Sequence, residues 1–275
     1  MTARDKVDER TNELLADEHA RASMSAAEFD HAFLDAHLSD ERRKASLLGE
    51  IREAIFGAQD GLVSTVAVVN IVAGATQDRY AVLVAGIATA LGGVFSMAAG
   101  EYIGSKSQRE IFDAQIVDER EEVHERPGEA EAEVAYMFEE DGLPHAQALQ
   151  VARIMADHPE VLLKTMVEKE LGLAVEEPGG SPMQGALVMG AAFGLGSIAP
   201  VVPHLVLGAD VAVRVSVGLT LAVLFAIGVV KSRWTHRSWW ASGLEILIIG
   251  AVAGIAGYFF GSVLPILLGA PEVVA

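Results

Sequence analysis

Between Phe95 and Val134 the chain reads FSMAAGEYIGSKSQREIFDAQIVDEREEVHERPGEAEAEV. This stretch decides the fold. It begins inside an apolar run and continues, with no helix breaker before Arg126-Pro127-Gly128, into one of the most acidic segments of the sequence. A helix at membrane depth is therefore expected to leave the bilayer and become the first wall of a carboxylate-rich domain. Carboxylates mounted on a membrane span point to the handling of a hard cation at a membrane.

The composition agrees with two solvents for one chain. Hydrophobic residues make up 51% of the 275, yet the formal charge is -18. Between Ser107 and Glu177 there are 19 acidic residues against 6 basic ones, so -13 of that charge falls in one insert. Such a balance argues against nucleic acid as a partner, because phosphate binding needs a basic footprint. It suits a cation. The absence of cysteine excludes disulfides, thiolate metal sites and a cysteine nucleophile. Residues 1–46 are polar and hold no apolar signal-peptide core, so the first span is expected to serve as the targeting signal.

Working outward from the acidic stretch, apolar segments are expected at about Ala54–Ala75, Tyr80–Gly104, Met183–Leu207, Val211–Val230 and Trp239–Leu268. About twenty residues suffice to cross a hydrocarbon core of about 30 Å. The expected fold is an all-α membrane protein with five transmembrane helices and a cytoplasmic acidic helical domain between spans 2 and 3. Its parts are a polar N-terminal extension (1–46), spans 1 and 2 (47–106), the acidic domain (107–180) and spans 3–5 (181–275). Within the insert, Pro and Gly punctuation predicts helices ending at Glu125 and covering about Glu129–Asp141, Pro144–Asp157 and Pro159–Leu171, with a linker over Glu176–Gly180.

Lys and Arg set the expected orientation. Arg42, Arg43, Lys44 and Arg52 precede span 1, Lys106 and Arg109 follow span 2, and Lys231, Arg233 and Arg237 join spans 4 and 5. All three clusters are cytoplasmic if the N-terminus is inside, and the C-terminus is then outside. Trp234, Trp239 and Trp240 fit an interfacial belt at the inner surface. Glycine pairs four apart (Gly57/Gly61, Gly190/Gly194, Gly250/Gly254, Gly257/Gly261) allow close helix approach and suggest a tight bundle or a dimer.

Ionisable groups at membrane depth are costly and need a reason. Asp60, Glu101 and Glu245 are the clear cases. Met97 precedes Glu101 by four residues and shares its helical face. A thioether with carboxylates suits a borderline divalent ion such as Fe2+ or Mn2+. The competing account has Asp60 capping a helix break and the two glutamates snorkelling; for Glu245 alone that account is the better one. In the insert, Asp118, Glu122, Glu125 and Glu129 fall at helical spacing, as do the pairs Glu119/Glu122 and Glu129/Glu133. Like charges so spaced repel, and a cation would relieve them. Met166, Glu168 and Glu170 are placed to close such a cluster. An ordinary solvated acidic face explains the same spacing equally well. His19, His31 and His37 sit among carboxylates, but match no ligand pattern, and a solvated lead-in explains them better.

AIFGAQDGLVST (Ala54–Thr65), SMAAGEYIGSKSQRE (Ser96–Glu110) and FGLGSIAPVVPHL in span 3, arranged around an acidic helical insert, resemble the vacuolar iron transporter (VIT) family over about residues 50–268. The resemblance to its bacterial members implies five spans, a homodimer, and movement of Fe2+, with Mn2+ as a further substrate, out of the cytosol in exchange for protons. It implies that Asp60 and Met97 line the ion path. It also implies that Glu119, Glu122, Glu133 and Glu170 collect metal in the cytosol, with Met166 alongside. Glu129, Glu131 and Glu133 stand where the family has its second E-x-x-E pair, and the spacing leaves open which of them bind; Lys164 stands where a further acid is expected. The expectation is a divalent-metal transporter of a prokaryotic plasma membrane, with no prosthetic group. The alternative is a membrane-tethered metal sensor or buffer. No Ser–His, Ser–Lys or H-E-x-x-H constellation suggests an enzyme.

Overall fold

The structure is a computed structural model that describes residues 30–76, 78–172 and 181–267. The Glu176–Gly180 linker and His19 lie outside the described residues, as do the surroundings of Gly254, Gly257 and Gly261. Among the described residues the chain is entirely helical: α1 (His31–Ala75), α2 (Arg79–Glu125), α3 (Pro127–Glu140), α4 (His145–Ala156), α5 (Pro159–Glu170), α6 (Pro182–Val206), α7 (Ala209–Thr235) and α8 (Trp239–Leu267). By length and composition α1, α2, α6 and α7 can each cross a membrane. The helix α8 runs 29 residues, of which the described apolar part is Trp239–Val252.

Span 1 is not a separate helix. It is the second half of α1, which begins at His31 in the polar extension. Nothing between His31 and Ala75 interrupts the run of Ala, Leu, Glu, Arg and Lys with proline, so propensity carries the helix through. The chain divides at this point into two compact units, residues 1–46 and 47–275. Within the first, Lys44 pairs with Asp40 and Glu41 one turn back, each at 2.9 Å. Phe33 and His37 stack with their rings 5.9 Å apart.

In the second unit, α2 spans 47 residues without a break and carries both the apolar run and the start of the acidic one. Asp78 caps its start by accepting from the Tyr80 amide. Pro127, Pro159 and Pro182 each open a helix from its first turn, where the missing N–H costs nothing. The insert then closes on itself. The far end of α2 packs with α3, α4 and α5 around Val123, Ala130, Val134, Ala152, Leu162 and Met166.

Among the membrane helices, α6 is the hub. A Cβ on Gly61 of α1 would overlap the Phe193 carbonyl of α6, and one on Gly196 of α6 would overlap the Ala58 carbonyl. Only glycine permits that backbone contact. Gly190 and Gly194 turn to Val94 and Ala98 of α2 instead, so these glycine pairs serve packing within the chain. Buried hydroxyls add specificity. Thr65 donates to Ser197 at 3.0 Å, and Ser216 of α7 donates to the Pro200 carbonyl at 2.8 Å. Arg79, at the start of α2, donates to the His204 carbonyl at the far end of α6 at 2.8 Å. Leu62, Leu224 and Ile246 form the apolar seam between α1, α7 and α8.

Candidate metal sites

Two separate groups of side chains that could hold a metal result, one in the bundle and one in the insert. In the bundle, an open cleft of about 370 Å³ is lined by Asp60 and Ser64 of α1, Thr89, Ser96 and Met97 of α2, and Phe193 of α6. Asp60 and Met97, on different helices, thus line one cleft. Ser64 donates to the Asp60 backbone carbonyl at 2.6 Å, which leaves the carboxylate to the cleft. Next to it, a second cleft of about 330 Å³ is lined by Arg52, Glu53, Phe56, Ser96, Met97 and Glu101. Met97 and Ser96 border both. Glu101 accepts from Ser105 at 2.5 Å.

Glu53 is the residue that reading the sequence missed. One of its carboxylate oxygens is buried without a hydrogen-bond partner. Gly185 of α6 makes room for it: a Cβ there would lie 3.0 Å from both Glu53 oxygens. The available signal was spacing, since Glu53 precedes Asp60 by seven residues and so shares its face after two turns. Glu245, by contrast, is spoken for. It pairs with Arg237 at 3.0 Å and Lys231 at 3.6 Å, away from Asp60 and Met97.

In the insert, carboxylate oxygens of Glu122, Glu129 and Glu133 lie within 4.8 Å of one another. A hard divalent ion holds oxygens at about 2.0–2.6 Å, so ligands on opposite sides stand about 4–5 Å apart. The spacing therefore fits one ion. Glu122 comes from α2 and the other two from α3, and the Arg126-Pro127-Gly128 corner between them folds the two helices face to face. Arg126 bridges Glu122 at 2.8 Å and Glu129 at 2.9 Å, one positive charge against three carboxylates. Of the three acids left open by spacing, Glu129 and Glu133 join this group and Glu131 does not.

Glu119 and Glu170 belong to the same electrostatic neighbourhood. Burial, then the charges of Glu170, Glu122 and Glu133, push the Glu119 carboxyl above the usual carboxylate range. One Glu119 oxygen is buried and makes no hydrogen bond. Burial and the charges of Glu122, Glu170 and Glu129 likewise raise Glu133, against the pull of Arg126. Met166 is fully buried in the apolar core of the insert, where packing accounts for it. Glu168 is exposed at the end of α5.

The family model described as "VIT family" matches residues 51–262. A relative from Oryza sativa subsp. japonica named vacuolar iron transporter 2 is 30% identical over 252 residues, covering 91% of this chain and 94% of its own. The Arabidopsis thaliana protein named vacuolar iron transporter 1 is 32% identical over 228 residues, covering 82% and 91%. A vacuolar iron transporter of Toxoplasma gondii is 28% identical over 231 residues, covering 80% and 76%. With its apolar helices, its acidic insert and a family match across most of its length, this chain belongs to the VIT family.

Proposed function

We propose that the protein is a transporter, not an enzyme, that moves Fe2+, and Mn2+ with it, out of the cytosol in exchange for protons. The observation that carries the reading is the shared cleft of Asp60 and Met97, continuous in its lining residues with the one that holds Glu53 and Glu101. A simple membrane anchor has no use for an acid and a thioether lining one cleft between apolar helices. The names of the relatives support iron as the cargo. In this reading α8 is the fifth crossing, residues 107–180 lie in the cytosol and the C-terminus outside. The membrane is a prokaryotic plasma membrane or its vacuolar counterpart, since both face the cytosol on one side.

The chemistry follows from charge. A divalent ion leaving the Asp60 cleft would strand a bare carboxylate in low dielectric, and a proton taking its place removes that cost. The carboxylates of the insert gather metal from the cytosol: Glu122, Glu129 and Glu133 as ligands, with Glu119 and Glu170 at their edge. A homodimer fits the exposed apolar face of α2, where Ile87, Leu91 and Phe95 stand on the helix that carries Met97.

The test is Fe2+ uptake into proteoliposomes with an acidic lumen, wild type against Asp60→Ala. Gradient-dependent uptake by wild type and its loss in the variant, with membrane insertion unchanged, is the expected result. Wild-type flux in the variant would sink the assignment of Asp60. Metal binding without any uptake by wild type would turn the reading to a tethered sensor or buffer, which the carboxylate group of the insert equally allows.

A further inference from the structure

On the side of the bundle formed by α1, α7 and α8, a recess of about 420 Å³ is lined by Arg52, Ile55, Lys231, Trp234, Glu245 and Ile246 among others. None of the metal-site acids Asp60, Glu53 or Glu101 lines it. Its lining is mostly apolar, with Arg52, Lys231 and Glu245 as its charged residues. Arg52 and Lys231 line it, Arg52 bordering the Glu53 cleft as well, and both Lys231 and Arg237, the latter from the α7–α8 connection, pair with Glu245. Trp234, beside them, is the kind of side chain that settles at a membrane–water boundary.

Further along the same three helices lies a second, larger cavity of about 520 Å³, walled by Val63, Val66, Leu224 and Ile255. From Arg52 to Val63 is eleven residues, about 16 Å of helix. One leaflet of hydrocarbon is about 15 Å deep. The near edge of that cavity, at Val63, thus lies a full leaflet below Arg52, and the apolar wall available to a chain within the cytoplasmic leaflet is that of the recess itself, at Ile55 and Ile246. A small free anion would use the cations and leave the apolar wall bare. An acyl chain alone would leave the cations with an excess of charge.

We propose that this recess binds an anionic phospholipid of the cytoplasmic leaflet, with its phosphate between Arg52, Lys231 and Arg237 and a chain against Ile55 and Ile246. Basic recesses between membrane helices on the cytoplasmic side are suited to such headgroups. The site rests on the membrane-crossing reading above, and not on what the protein carries. Because α1 also holds Glu53 and Asp60, a lipid seated here would bear directly on the helix that forms the ion cleft.

The tryptophans at 234, 239 and 240 are the only three in the chain and make a built-in reporter. The experiment titrates the detergent-solubilised full chain with brominated phosphatidylglycerol or brominated phosphatidylcholine and reads the quenching of tryptophan fluorescence. Half-maximal quenching is expected at about a tenfold lower mole fraction of the anionic lipid, and Lys231→Gln should narrow that preference about fivefold. Lys231→Arg should keep it. Glu245→Gln, which removes the internal counter-charge, should widen it, a gain that misfolding does not produce. Equal quenching by both lipids would overturn the proposal, as would an unaltered preference in Glu245→Gln and in a folded Lys231→Gln. Loss of the preference on adding millimolar inorganic phosphate at constant ionic strength would assign the recess to a free anion and overturn the lipid. Failure of Fe2+ uptake with the lipid preference intact would count against the transport reading alone.

Discussion

At the scale of single residues, the insert is a cluster of carboxylates held together against their own repulsion. Arg126 is the counter-charge that the fold supplies to Glu122 and Glu129. Replacing it should therefore do two opposite things. Arg126→Gln is expected to lower the melting temperature of the metal-free protein and to raise Mn2+ affinity severalfold, because the cation competes for the same oxygens. Calorimetric titration with Mn2+ and a thermal melt read both; a weaker Mn2+ affinity would instead make Arg126 an organiser of the site. Glu119 and Glu133 carry a pH dependence. Their carboxyls sit above the ordinary value of about 4.5 in the folded chain. The stability they contribute is thus fully present below that ordinary value and is lost as pH rises through the raised folded value. Metal binding offsets that loss at neutral pH and meets proton competition below it. The melting-temperature gain on adding Mn2+ should accordingly be larger at pH 7.5 than at pH 5, and an equal gain would remove these two acids from the site.

Among the helices, close packing around α6 sets how near the cleft-lining side chains can come. Gly61 lies one residue from Asp60, and its contact with the Phe193 backbone fixes α1 against the helix that completes the cleft. Gly61→Val should cost on the order of 1–3 kcal/mol through overpacking. It should lower the melting temperature in detergent and reduce transport even though Asp60 is intact. Gly218→Ala on α7 meets open space and is the matched control, expected to be neutral or slightly stabilising through helix propensity. Equal effects of the two would mean that the α1–α6 contact does not matter to the site.

Over the whole molecule, two metal-handling regions on one chain predict separable kinetics. The insert holds -13 of the formal charge and, in the proposed reading, acts on the cation before it enters the bundle. Neutralising its ligands together, as Glu122→Gln, Glu129→Gln and Glu133→Gln, should raise the Fe2+ concentration for half-maximal uptake about tenfold while leaving much of the maximal rate. Asp60→Ala should remove the maximal rate itself. Proteoliposome uptake measured across a range of Fe2+ distinguishes the two, and a triple variant with no uptake at any concentration would place the insert on the obligatory path.

The sequence by itself determined most of the helical elements, though not that α1 begins at His31. An apolar run continuing into an acidic one requires a helix like α2, and the Pro and Gly positions set the ends of α3, α4 and α5 to within a few residues, because these are local properties of the backbone. The motifs around Asp60 and Met97 carried the family likeness. What only the tertiary structure decided were the relations across helices. Glu129 and Glu133 were separated from Glu131 because a helix carries residues two apart on different faces, and only the fold of α3 onto α2 selects the face. Met166 lies in the apolar core of the insert, a placement that spacing does not reveal because it does not say which face the neighbouring helices cover. Glu53 emerged as a cleft residue because the glycine that admits it, Gly185, is on another helix 132 positions along the chain. The helix bounds are written in nearest neighbours, whereas a site is written in the packing of distant ones.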